Sequence, residues 1–494
     1  MKKTYKFLIL FVLAAIGFQS CQDMDDTLNV PSDLEIHNFI WKGLNLYYLW
    51  QADVPDLADD RFDNQSQLND FLRTEGTPEN LFQDLLYKPV SKFPNGGAVD
   101  RFSVLVDDYV YLENLFQGVT KNNGVDFKLY LKPGSDTDVF GVVRYIIPGS
   151  DAATKDIQRG DLFDAVNGTP LTKSNYQALL ATDTYTLNLA DYNGGAITPN
   201  GTSVSLTKSQ LTENPVFETR IIEQGSHKVA YLMYNAFVEN FEPQLNAAFA
   251  EFKAAGATDL VLDLRYNGGG AVTTATRLAS MITGQFNGQL FAHEQWNDKV
   301  QAYFEDNNPG RLNNNFTNKI NDGATINSLN LNKVYVIASK STASASELII
   351  NGLTPYIDVV QVGDVTVGKN VASITLYDSP TFNKEDVNPH HKYAMQPLVL
   401  KISNKAGFSA YENGLAPDIV LPENLSNLGV LGDPSEPLLA AALANIAASG
   451  RMMPPQPAKL FQEVKDLKGL RRFGTDMYVE TPREMPALIR KWNN

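Results

Sequence analysis

Residues 260–282 read LVLDLRYNGGGAVTTATRLASMI. Leu260–Leu264 has the length and apolar character of a buried strand, Gly268–Gly270 can turn the chain, and Ala271–Ile282 reads as a helix. Outward from this unit the same rhythm repeats. Val229–Tyr234 reads as a strand, and Phe241–Ala255 as an amphipathic helix ended by Gly256. Val334–Ala338 is a strand, Ala345–Leu353 a helix and Val359–Val362 a strand. Such alternation over about residues 215–425 predicts an α/β layer with a largely parallel sheet. Open parallel sheets bind ligands beyond the carboxyl ends of their strands. Chemistry is therefore expected just after Leu264, Ala338 and Val362.

Three segments stand at those ends: Asp263-Leu264-Arg265-Tyr266-Asn267-Gly268-Gly269-Gly270, Ser341-Thr342-Ala343-Ser344-Ala345-Ser346-Glu347, and Gly363-Asp364-Val365-Thr366-Val367-Gly368-Lys369. Each alone has an ordinary reading. Serine and threonine runs are usually helix caps, a glycine triplet can open a helix, and a lysine in a loop is usually solvated. Their order, motifs and spacing together resemble the carboxyl-terminal processing, or tail-specific, protease family, which uses a serine–lysine dyad. The resemblance covers about residues 100–425. It implies an α/β protease core with a ClpP/crotonase-like layered sheet, accompanied by a PDZ-like β-domain and an N-terminal helical region. It implies Ser344 as nucleophile, Lys369 as general base, and an oxyanion hole made by the Ala345 amide with one from Gly269 or Gly270. Glu347 and Thr366 match supporting positions, the threonine orienting the lysine amine.

The chemistry of these residue types agrees. A serine at a strand-to-helix turn lies beside free helix N-terminal amides, which can stabilise an oxyanion. A lysine base must be neutral near pH 7 and hence buried, for which Val365, Val367 and Val371 offer apolar neighbours. Glycine lets the backbone approach a substrate with no side chain between. Many family members carry glutamine four residues after the lysine; here that position is Ser373, which leaves a third catalytic member open.

The remaining chain divides into further segments. Ser32 with Glu35 makes a capping-box start for a helix carrying Ile36, Ile40, Tyr47 and Trp50, and Thr77-Pro78 starts another. Residues 34–101 are thus an N-terminal helical region with a structural role. From 102 to 210 short β-like runs take over: Ser103–Val106, Val125–Leu131 and Val139–Ile147, with an Asn167-Gly168 hairpin signal. This succession resembles a PDZ domain of the bacterial protease type, which accepts a peptide by β-addition and captures its terminal carboxylate on backbone amides. The carboxylate loop would include Gly124, Val125 and Phe127, with Asp126 unexpected beside an anion; a small β-domain without a ligand is the plainer reading. The protease core is expected over 211–425, closed by the family-like turn Asn413–Asp418, and a C-terminal helical extension over 426–494.

Length and charge narrow the field. The 494 residues suggest about three domains. Forty-one basic residues against 56 acidic ones give −15, spread without blocks, which argues for solubility and against nucleic acid as partner. A single cysteine excludes an internal disulfide and a cysteine-rich zinc site. It stands at Cys21, after a positive n-region (Lys2, Lys3, Lys6) and the apolar run Phe7–Phe18, which together read as a signal peptide over 1–20. Cys21 resembles the acylated residue of a bacterial lipoprotein, although Phe18-Gln19-Ser20 departs from the usual lipobox and plain secretion is the alternative. Residues 21–33 would be a tether. Cleavage removes three lysines and no acid, leaving −18.

Other patterns dissolve on inspection. Gly363 to Lys369 nearly spells a phosphate-binding loop, but Asn370 replaces the hydroxyl residue and a strand, Val371–Leu376, follows where a helix is needed. His293-Glu294 lacks a second histidine at Asn297. His390-His391 reads as solvated. His227 is a minor rival to Lys369, since tricorn-type relatives use an upstream histidine. The expectation is a lipid-anchored envelope endopeptidase of protein or peptide tails, needing no metal, cofactor or nucleotide. The rivals are a non-catalytic peptide-binding scaffold and a binder of apolar small molecules on the same fold.

Overall fold

The computed structural model describes residues 30–447, 461–464, 476–483 and 485. The segment expected to be a signal peptide, Cys21 and most of the expected tether lie outside these residues.

At the centre is a six-stranded sheet in the order Val216–Gln224, His227–Tyr234, Asp259–Asp263, Lys333–Ala338, Asp358–Gly363, Ile419–Val420. The first pair is antiparallel and the others parallel. Side chains alternate between two buried faces, which is why these strands read as continuous apolar runs. Ala230, Leu232 and Tyr234 face the helices Glu242–Ala255, Val272–Thr283 and Ala345–Leu353, meeting Leu245, Phe249, Leu278 and Leu348 in the largest core cluster. Val229, Tyr231 and Met233 face the other way and are covered by the helix Pro437–Ala447 through Leu439 and Leu443. Each fully buried valine, leucine, phenylalanine or methionine among them contributes roughly 1.5–3 kcal/mol of transfer free energy.

A second six-stranded sheet includes the segment that directly follows the third of these strands, Gly270–Ala271. Its order is Gly270–Ala271, Met477–Tyr478, Val371–Ser373, Leu398–Asn404, Leu290–Trp296, Asn313–Asn315. The N-terminal helices Glu35–Tyr47, Gln65–Thr74 and Pro78–Asp84 pack Phe39, Ile40, Leu44 and Tyr47 into the largest cluster rather than forming a core of their own. Thr77 caps its helix as expected, accepting from the Asn80 amide at 3.3 Å. Ser32 does not: it lies in a 3-10 turn, Ser32–Leu34, and the α-helix begins at Glu35 without a side-chain cap.

The β-domain sheet runs in the order Val125–Leu131, Val139–Ile146, Leu162–Val166, Thr184–Asn193, Ala196–Thr207. With the helix Tyr176–Ala181 it encloses a core of Leu129, Val143, Phe163, Leu180, Leu187 and Leu206. The chain enters and leaves it through a two-stranded ribbon, Val119–Asn122 paired antiparallel with Ser209–Thr212. The strand Val104–Val106 lies apart from this sheet: it pairs with Ala394–Gln396, beside Leu376–Tyr377, as part of the core.

A buried charge cluster fixes the β-domain to the core. Arg265, fully buried, pairs with Asp263 at 2.7 Å, Glu436 at 2.7 Å and Glu423 at 3.1 Å. Arg159 of the β-domain reaches the same Glu423 at 2.8 Å and the Tyr266 hydroxyl at 2.6 Å. Burial alone would raise the Glu423 pKa, but the two guanidiniums outweigh it and pull it down to about 2.

Candidate active site

Ser344 stands between the strand Lys333–Ala338 and the helix Ala345–Leu353, with φ 66° and ψ −119°. A non-glycine residue in this region is strained by roughly 1–3 kcal/mol and persists only where the surroundings impose it. Glu347 imposes it here. This carboxylate is buried and accepts from the Ser344 amide at 2.7 Å, the Gly368 amide at 2.6 Å, the Lys369 amide at 2.8 Å and the Thr366 hydroxyl. Burial pushes its pKa up, and the four donors pull against that. Glu347 thus joins the serine turn to the 366–369 loop. The Ser344 hydroxyl itself is buried and makes no hydrogen bond.

The glycine loop lies against that hydroxyl. Gly269 has φ 117°, and a Cβ there would lie 2.7 Å from Ser344 Oγ and 2.5 Å from the Asp476 carbonyl oxygen. At Gly270, φ 136°, it would lie 2.3 Å from the Phe237 carbonyl oxygen. Neither position can hold a side chain. The two amides differ in use: Gly269 donates inward to Asn267 Oδ1 at 2.8 Å, whereas Gly270 donates to the Asp476 carbonyl at 2.5 Å. Asn267 also donates to the Tyr234 carbonyl and accepts at its own carbonyl from Ala343 N and Ser346 Oγ, locking the glycine loop to the serine turn. Ala345, which opens the helix, is fully buried.

Lys369 is buried at 1% exposure, as the base reading requires. Its Nζ lies 3.6 Å from Asp476 Oδ1 and 4.9 Å from the Phe102 ring centre. The Phe102 ring is an apolar partner on the ammonium that the local sequence around Lys369 does not supply. No hydrogen bond joins Nζ to Ser344 Oγ. The Thr366 hydroxyl does not orient the lysine amine; it donates to Glu347 and accepts from the Leu415 amide at 2.7 Å. Arg101 clamps the same loop, donating to the Gly368 carbonyl at 2.5 Å and to the Glu412 carbonyl at 3.1 Å. Ser373 donates to Gln396 Oε1 at 2.6 Å and to the Met477 carbonyl at 3.2 Å. Beside the glycines a cavity of about 180 Å³ is lined by Phe116, Phe237, Val238 and Tyr478.

Other expected positions fall elsewhere. His227 begins its strand, at the end of the sheet opposite Ser344, where it bonds Asp259 at 2.7 Å, and cannot reach the serine. His391 is not solvated: its side chain is 9% exposed and bonds Asp378 at 2.9 Å. In the β-domain, the Gly124 amide is taken by Asn122 Oδ1 at 2.7 Å and the Val125 amide by Asn123 Oδ1 at 3.2 Å. Neither is turned toward a peptide carboxylate. Phe127 packs edge-on against Phe163. Asp126 is buried and paired with Arg144. Asn267, Arg101, Phe102 and Asp476 are the site residues that sequence reading missed. Only Asn267, placed just ahead of three glycines, carried a local signal.

Comparison with known proteins agrees with this architecture. A model of peptidase family S41 matches residues 228–421, and one of the peptidase S41 N-terminal domain matches residues 35–104. Over 329 residues the chain is 23% identical to a carboxyl-terminal-processing protease of Picosynechococcus, covering 65% of this chain and 69% of that protein. Over 334 residues it is 25% identical to the chloroplastic C-terminal processing peptidase of Tetradesmus obliquus, covering 64% and 65%. A Bacteroides fragilis crystal structure, described only provisionally as an S41 protease, superposes with a TM-score of 0.62 at 26% identity, over 84% of this chain and 98% of that one.

Proposed function

The chain belongs to peptidase family S41, and on that premise we propose that it is a serine endopeptidase cutting protein tails through an acyl-enzyme on Ser344. Ser344 Oγ attacks the scissile carbonyl and its proton passes to the Lys369 amine, which returns it to the leaving amine; water then releases the acyl group. The Gly270 and Ala345 amides hold the oxyanion. Gly269 excludes side chains from the approach. Glu347, steadied by Thr366, sets the distance between the serine turn and the lysine loop. The edge strand Val125–Leu131 of the β-domain, with Phe127 as its third residue and Gly124 in the turn before it, receives the tail by β-addition.

One observation carries this reading. The Gly270 amide donates to the Asp476 carbonyl oxygen at 2.5 Å, and that oxygen and Ser344 Oγ both border Gly269, so an amide able to hold a carbonyl oxygen stands next to the serine turn. The signal-like segment 1–20 and the position of Cys21 support a lipid-anchored location in a bacterial envelope. Ser344→Ala and Lys369→Ala, each assayed for hydrolysis of an extended peptide, test the assignment: both are expected to lose at least about 10³-fold in kcat. Full activity in either removes its role. The unbonded Ser344 hydroxyl favours a second reading, a non-catalytic peptide holder. Labelling of Ser344 by a fluorophosphonate distinguishes the two.

A further inference from the structure

Two short pieces of the C-terminal region sit where a substrate would. In the cleft, Met477–Tyr478 runs parallel to both Gly270–Ala271 and Val371–Ser373 and between them. Neighbouring strands are about 4.8 Å apart, so without this piece the two flanking strands would face each other across about 9.6 Å, the width of one extended peptide. The piece is bonded as a peptide ligand would be. Asp476 O accepts from the Gly270 amide at 2.5 Å, the Val479 amide donates to Ser373 O at 3.1 Å, and Met477 O accepts from Ser373 Oγ at 3.2 Å. Met477 is fully buried, and the Tyr478 ring lies 4.3 Å from that of Phe116.

At the β-domain, residues 461–464 run antiparallel along the outer edge of Val125–Leu131. The Leu131 amide donates to Gln462 O at 2.8 Å and the Val464 amide to Leu129 O at 3.1 Å. Glu463 pairs with Lys128 at 2.9 Å, and Val464 is buried in the β-domain core.

We propose that these two pieces form an internal strap: the chain's own C-terminal region occupies both its peptide-binding edge and its catalytic slot, and holds the site closed until an incoming tail displaces it. The inference rests on Ser344 being the nucleophile. Three features mark the closed state. Ser344 is fully covered, the Gly270 amide is already bonded, and the Lys369 ammonium is held by the Asp476 carboxylate instead of by the serine hydroxyl. Two docking points on one chain reinforce each other through their high effective concentration. A substrate tail that takes the β-domain edge removes one of them and so loosens the other, which couples opening of the site to arrival of a substrate.

The test uses the full chain and a fluorophosphonate probe. Asp476→Ala removes the carboxylate that pairs with Lys369 while leaving the buried Met477, Val479 and Met485 in place. It is expected to raise the rate of Ser344 labelling by about tenfold. In the wild type, amide hydrogen exchange over residues 476–483 is expected to be slow before labelling and fast after it, because the adduct and the Asp476 carbonyl need the same space. Equal labelling rates in wild type and variant, with 476–483 still protected in the labelled enzyme, overturn the strap while leaving the site assignment standing. If no label reaches Ser344 in either protein although exchange shows 476–483 opened in Asp476→Ala, the nucleophile assignment fails, and the strap's catalytic role with it.

Discussion

Glu347→Gln is the most informative single change at this site, because it alters charge and donor pattern while keeping shape. The wild-type carboxylate takes four donors, two on each oxygen: Thr366 Oγ1 and the Gly368 amide on one, the Ser344 and Lys369 amides on the other. Glutamine keeps one acceptor oxygen and turns the other into a donor, so the NH₂ group faces two backbone amides in one orientation, and in the other the Gly368 amide and the Thr366 hydroxyl, which can turn and accept. The second orientation leaves one backbone amide unpaired, and an unpaired buried donor costs roughly 1–3 kcal/mol. Denaturant unfolding should register that loss as a lower midpoint with unchanged slope. Catalysis should suffer separately, since the same carboxylate sets the serine turn against the lysine loop. A displacement near 1 Å there lowers kcat by about 10²-fold. The paired assays are unfolding and turnover of an extended fluorogenic peptide. A variant within about 0.5 kcal/mol of wild-type stability and within about twofold in kcat would refute the positioning argument, since surface-type substitutions alone give that much.

Other expectations follow from the same geometry. Gly270→Ala places a Cβ 2.3 Å from the Phe237 carbonyl at a φ of 136°, so it should both destabilise the fold and lower kcat by about 10²–10³-fold by displacing an oxyanion donor, read by unfolding and kinetics together. Glu423 has a folded pKa of about 2 against 4.5 for the ordinary group, so its stabilisation is complete above pH 4.5 and is lost as pH falls toward 2. That loss is worth about 3 kcal/mol, and acid titration should show it as weakened attachment of the β-domain, abolished in Glu423→Gln. His227→Ala should leave peptide hydrolysis unchanged, because the ring lies at the far end of its strand.

The strands and helices of the central layer were legible because their residues answer to one rule: a strand buried on both faces must be apolar throughout. Observed boundaries fall within a residue or two of those read from the sequence, as with Ala345–Leu353. The candidate dyad was legible as a motif, but its support was not. The left-handed turn at Ser344 is imposed by Glu347 and Asn267 from the surrounding fold, and nothing local in a serine–alanine run announces it. Phe102 and Arg101 reach the lysine loop from more than 260 positions away in the chain. Ser32 failed as a cap because a 3-10 turn precedes its helix. The Gly124 and Val125 amides were claimed by neighbouring asparagine side chains, a local competition that a turn motif permits but does not specify. The piece around Asp476 was invisible because a two-residue strand has no periodicity to detect.

The ribbon that carries the β-domain has a consequence for how this chain can be taken apart. Asn122 and Ser209 are cross-strand partners, so the polypeptide departs and returns at a single point. Everything between them is a side branch of the chain, and a tight two-residue reverse turn joining those partners would close the ribbon without rerouting any strand of the central layer. A module attached in this way can be exchanged for another, or left out, while the central layer keeps every one of its strands.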